Sequence, residues 1–208
     1  MKNKRKKKQK SSKSKIIIFI ILLALIIGVV IFFQTRPKLQ VVTVVSNIDG
    51  YDYHLESNAT KIYKKYYDEL KKELKDNKID EEKYAELIVK LFLIDYYTLN
   101  NKITNKDIGG VQFLHSNLKD KFIKESSETI YKYVENNLYG NRKQELPEVK
   151  NVKIKNIDKI TYDKKDYKDD IGYKLETEIS YVKDLKYPKE VNISLIHENN
   201  KLVIVEIE

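Results

Sequence analysis

IGYKLETEISY, residues Ile171–Tyr181, alternates from end to end. Ile171, Tyr173, Leu175, Thr177, Ile179 and Tyr181 fall on one side, and Lys174, Glu176 and Glu178 on the other. A period of two is that of a strand with one buried and one wet face. The pattern continues both ways along the chain. Upstream, Val152 and Ile154, then Ile160 and Tyr162, keep the same period, with an irregularity expected at Ile157. Downstream, Val191, Ile193 and Leu195 repeat it, and Asn199-Asn200 supplies a turn into Leu202–Ile207. Four sequential strands with short turns predict an antiparallel meander.

Before residue 147 the period is helical. Tyr63, Tyr66, Tyr67, Leu70 and Leu74 form one stripe of a helix expected from about Asn58 to Asp76, with lysines and glutamates opposite. A second helix starts at Asp80. Its side chain suits an N-cap, Glu81 and Glu82 suit the positive helix end, and Ile79 and Tyr84 occupy the positions of a hydrophobic staple. From Leu87 to Ile94 only Lys90 is polar, so this helix is expected to be buried on most sides. A third is expected from about Ser116 to Asn137, with Leu118, Phe122, Ile130, Tyr133 and Val134 inward. Ahead of these, the β-branched run Leu39–Ser46, Asp49-Gly50 and the alternation of Tyr51–Leu55 predict a short hairpin. Helices followed by a run of strands read as α+β, with the three helices over one sheet face.

The chain begins with nine basic residues in Met1–Lys15 and no acid, followed by IIIFIILLALIIGVVIFF at Ile16–Phe33. Eighteen uncharged residues make about 27 Å of helix, close to a bilayer core. The run lacks the small-residue cleavage pattern of a secretory signal, so an uncleaved anchor is expected. The basic tail outweighs Arg36 and Lys38 beyond the run, which predicts a cytoplasmic N-terminus and an external C-terminal part. The expected organisation is a basic cytoplasmic tail at 1–15, a transmembrane helix at 16–33, a linker at 34–38 and an extracytoplasmic α+β domain at 39–208.

The net charge of +9 belongs to the tail. All 31 acids lie beyond residue 15, where they match the remaining basic residues one for one. The tail suits anionic lipid head groups, and nucleic acid is not an expected partner. Without cysteine the chain forms no disulfide and does no thiolate chemistry. Its bias to Lys, Ile, Asn and Tyr fits an AT-rich genome, hence a low-GC bacterium.

An N-terminal anchor, then helices, then a four-stranded antiparallel sheet resembles the nuclear-transport-factor-2-like cone fold. In layout it is similar to single-pass assembly components of type IV secretion and conjugation systems. The likeness covers about Asn58–Glu208 and is architectural, so it carries no functional residues across. The run YYTLNNKITNKDIGGVQF, residues 96–113, also resembles uncharacterised single-pass membrane proteins of low-GC bacteria.

Candidate chemistry is sparse. Asp95, near the end of the second helix, is either a base or cation ligand at a pocket mouth or a solvated or capping aspartate, and the latter is expected. His197 shares parity with Val191, Ile193 and Leu195 and is read as an inward, hydrogen-bonded histidine. His54 and His115 lack metal-ligand spacing. Asp163, Asp166, Asp169 and Asp170, interleaved with Lys164, Lys165 and Lys168, read as a solvated turn rather than a calcium loop. Ala24 and Gly28 form a small-xxx-small pair of the kind that brings two membrane helices together, so a weak homodimer stays open beside a monomer. The expected function is a non-catalytic, membrane-anchored interaction or assembly module of the bacterial cell envelope, with protein partners there and no cofactor or metal. The alternative is an external small-ligand-binding or sensing domain with a cone-shaped cavity. An enzyme using Asp95 and His197 is the least favoured reading.

Overall fold

The computed structural model describes residues 12–36, 38–164 and 167–208. Most of the basic tail, Pro37 of the linker, and Lys165 and Asp166 of the acidic turn lie outside the described residues. The chain divides into two units, Met1–Leu39 and Gln40–Glu208.

The first unit holds one helix, α1 (Ser12–Thr35). Its stretch Ile16–Thr35 is long and apolar enough to cross a membrane, and none of it is buried against protein. At its end the Arg36 guanidinium lies 4.5 and 5.1 Å from the ring centres of Phe32 and Phe33.

The second unit is α+β. It opens with a hairpin of β1 (Val44–Ile48) and β2 (Tyr53–Glu56), turned at residues 49–52 with Gly50 at φ +82°. Residues 39–43, read as the start of this strand, lie outside it, although the Ser57 amide still donates to the Thr43 carbonyl. Next come α2 (Lys61–Glu73), capped by Thr60, and α3 (Glu81–Tyr97). Asp80 caps α3 as the sequence demands, accepting from the Glu82 and Lys83 amides. The whole stretch Tyr84–Val89 of α3 is buried except Glu86, as is Leu91–Ile94.

The third helix of this unit, α4 (Lys119–Glu128), stops far short of Asn137. Ser127 and Thr129 hydroxyls bond back to the Lys124 and Glu125 carbonyls, and the Tyr131 amide reaches to Ser126. Such side-chain bonds compete with helix continuation. The chain therefore turns, and Tyr133, expected inward, stands three-quarters exposed.

Strands β3 (Val149–Lys164), β4 (Tyr167–Tyr181), β5 (Glu190–Glu198) and β6 (Lys201–Ile207) pair antiparallel in chain order, as the alternation predicts. The expected irregularity is a register shift between Ile154 and Asn156, just before Ile157. A second shift gives β4 one extra residue between Asp169 and Gly172. That bulge reverses the alternation and turns Ile171 outward. The β5–β6 turn places Asn199 at φ +59°.

One large core joins the hairpin, α2, α3 and the sheet. The three helices do not share the sheet face evenly: α3 lies on β3, β4 and β6, while α2 packs on α3. A small second cluster of Tyr162, Ile196 and Val203 forms apart from the main core. Two phenols close part of the free edge of β6. Tyr53 Oη donates to the Leu202 carbonyl at 3.1 Å, and the Leu202 amide donates to Tyr84 Oη at 3.2 Å. The two hydroxyls meet at 2.8 Å, so Tyr84 donates to Tyr53. His115 bonds the Ile204 carbonyl further along the same edge.

Candidate functional site

The loop after α3 folds back over the end of that helix and builds a small polar cleft. Thr98 ends α3 in an extended conformation, and Gly110 at φ +79° turns the loop. The approach is close: a Cβ on Gly109 would strike the Asp95 carbonyl, and one on Gly110 would lie 2.6 Å from the Phe92 ring. Only glycine fits both places.

Asp95 sits at the centre of this packing. Its Oδ1 lies 2.6 Å from Lys102 Nζ, and its Oδ2 accepts the Gly110 amide at 2.7 Å. Asp95 is thus partly buried and caps no helix, where the sequence reading expected a solvated or capping aspartate. It binds the loop to the helix and holds a lysine that is 1% exposed. Burial pushes the Lys102 ammonium down, but the carboxylates of Asp95 and Asp107 outweigh it and hold Lys102 above its ordinary value. Asp107 Oδ2 accepts the Ile103 amide, and burial raises this carboxyl despite the pull of Lys102.

The cleft has a volume of about 90 Å³, and His54, Glu56, Tyr63, Asp95, Asp107 and Gln112 are among the residues that line it. Gln112 fixes one wall: its Oε1 accepts the His54 amide, and its Nε2 donates to the His54 carbonyl and to Tyr63 Oη. The Glu56 carboxylate, 3.8 Å from His54 Nε2, holds that imidazole above its ordinary value. Asn58 and Asn101 exchange side-chain-to-carbonyl bonds, which orient the Asn101 amide and leave its Oδ1 buried without a partner. Acceptors therefore outnumber free donors here.

His197 does face the helix side of the sheet, as its parity predicts, but it is paired. Its Nδ1 lies 2.8 Å from Asp169 Oδ2 and its Nε2 lies 3.3 Å from Glu81. The His197 amide also donates to Asp169 at 2.6 Å. Burial works against the Asp169 carboxylate, but those donors and the Ile171 amide hold it below its ordinary value. His54 and His115 pair instead with Glu56 and Glu198. Among the described residues no three His, Asp or Glu side chains are grouped to hold a metal.

Sequence reasoning missed Lys102, placed Asp169 in a solvated turn where the structure buries most of its side chain against His197, and gave Glu81 only a helix-end role. Nothing local to Lys102 distinguishes it from the surface lysines. Asp169 reaches His197 because of the β4 bulge. Elsewhere, α4 and β6 flank an open cleft of about 280 Å³ whose apolar floor of Leu114, Phe122 and Ile204 is joined by Lys121, Glu125 and Glu206. In the first unit, Ala24 and Gly28 are exposed, and a Cβ on Gly28 would touch nothing. No family model, no curated protein and no solved structure matches this chain.

Proposed function

We propose that the protein is a membrane-anchored, extracytoplasmic interaction module of the bacterial cell envelope, with no catalytic role of its own. The observation that carries this reading is the apolar stretch Ile16–Thr35, none of which is buried among the described residues. A helix of that length and composition is unfavourable in water and favourable in lipid, where its backbone groups satisfy one another. The basic tail directs the N-terminus to the cytoplasm and contacts anionic head groups. The order of helices followed by a meander supports the cone-like assignment and the kinship in layout with secretion assembly components. The non-catalytic reading draws support from both candidate residues. Both oxygens of Asp95 and both ring nitrogens of His197 are engaged within the protein. Envelope proteins are the partners this reading implies, and Ala24 and Gly28 give α1 a surface for weak self-association.

The test is a pair of reporter fusions at Glu208. Alkaline phosphatase should be active there and a cytoplasmic reporter silent. The reverse pattern overturns the topology and the envelope role with it.

The acceptor-rich cleft favours a second reading, a domain that binds a small cationic or N–H-rich ligand. Calorimetric titration with small primary amines and guanidines tests it. Saturable binding that Asp107→Asn weakens supports it, and absence of binding across the set removes it.

A further inference from the structure

Single apolar side chains on a surface need no explanation, but a cluster of them does. Val41, Val44 and Val45 are each more than half exposed. Strict alternation would turn either Val44 or Val45 inward. A register shift between Val44 and Ser46 gives β1 an extra residue there, so both valines point outward. Tyr139, also more than half exposed, lies on a segment held beside the one that carries Val41: the Gln40 amide donates to the Leu138 carbonyl at 2.7 Å. The Gln40 side chain lies against Gly140, which turns at φ +68°.

Chain length and charge indicate what covers this patch. Val41 follows Thr35 by six residues, so it lies within about 20 Å of the end of the apolar helix. No Asp or Glu occurs before Asp49, and Arg36 and Lys38 stand between the helix and the valines. A basic, acid-free and apolar stretch suits the headgroup region of an anionic bilayer, where tyrosine is also enriched.

We propose that Val41, Val44, Val45 and Tyr139 form a seat for the external leaflet, holding the domain against an anionic lipid surface rather than leaving it on a free tether. This rests on the reading of Ile16–Thr35 as a membrane span.

The chain has no cysteine, so single substitutions report one site each. The full chain is placed, one copy per disc, in nanodiscs containing phosphatidylglycerol. A fluorophore is attached to Val41→Cys, Val45→Cys or Tyr139→Cys. Leu25→Cys serves as the reference within the span, and Lys186→Cys as an exposed reference. Headgroup-nitroxide lipids should quench the labels at 41, 45 and 139 several-fold more than the label at 186. Adding Val44→Asp to the Tyr139→Cys variant should lower that quenching. Lipid quenching at 25 without excess quenching at 41 and 45 overturns the seat and leaves the span standing. No quenching at 25 by chain-labelled lipids overturns the span and the seat together. Shielding at 41 and 45 that needs two copies in one disc assigns the patch to a second copy and overturns the lipid assignment.

Discussion

Lys102 Nζ lies 2.6 Å from Asp95 Oδ1, and the lysine is sealed from solvent by the loop that Asp95 also holds through the Gly110 amide. Removing one partner of a buried pair leaves an uncompensated charge, which costs about 3–5 kcal/mol. Asp95→Asn should therefore lower the unfolding free energy of a fragment starting at Gln40 toward the lower end of that range, since Asp107 remains near the ammonium. Adding Lys102→Met should restore most of the loss. Urea unfolding of the two variants checks both statements, and a single variant as stable as the parent would falsify the brace.

The same lysine sets an alkaline limit. Its folded-state value is raised above the ordinary 10.5. Its contribution is thus fully present below pH 10.5 and lost as pH rises through the folded value. Lys102→Met should remove that part of the alkaline decline, as read from unfolding midpoints between pH 9 and pH 12.

Asp169 acts at the other extreme. Its folded value lies below the ordinary 3.8. Its contribution is present above that pH and lost as pH falls through the folded value. Asp169→Asn should flatten the acid limb of stability below pH 4 and leave two donors, the His197 and Ile171 amides, with a weaker acceptor. An acid limb identical to the parent's would count against the Asp169–His197 tie.

At Gly109 any side chain meets the Asp95 carbonyl and the Lys102 ammonium. Gly109→Ala should destabilise the domain by about 1–3 kcal/mol, the usual cost of overpacking. The change should also speed hydrogen exchange at the Gly110 amide. Unaltered exchange there would show that the loop yields without strain.

Leu91 is fully buried on α3, the helix that lies on the sheet. Leu91→Ala should cost about 2–5 kcal/mol by leaving a cavity. The parent fragment should unfold in one cooperative transition, unaffected by reductant because no cysteine is present. A shallow, multi-step transition would mean that the domain needs contacts outside itself.

The sheet order was legible because strand period is a local property. Tyr173, Leu175, Thr177 and Ile179 alternate regardless of what lies opposite, and Asn199-Asn200 announces its turn. The Asp80 cap was legible for the same reason. The end of α4 was not, since apolar spacing at Ile130 and Val134 continues past the point where Ser127 and Thr129 hydroxyls draw the backbone off. The site was less legible still. Lys102 becomes a buried ion only through Asp95, seven residues away, and a loop that Gly109 lets close. His197 was correctly faced, but its partners Asp169 and Glu81 come from a bulge and from the start of α3, far apart in sequence.

The phenol of Tyr53 takes the place of a neighbouring strand for Leu202, a residue 149 positions later. A chain synthesised from its N-terminus delivers the hairpin long before β6 emerges. Until then Tyr53 and Tyr84 lack the backbone groups that they bond in the folded domain, and α3 lacks the last strand it rests on. The domain therefore closes late, after nearly its whole length has been made, and during that interval its apolar helix surface is available to chaperones and proteases.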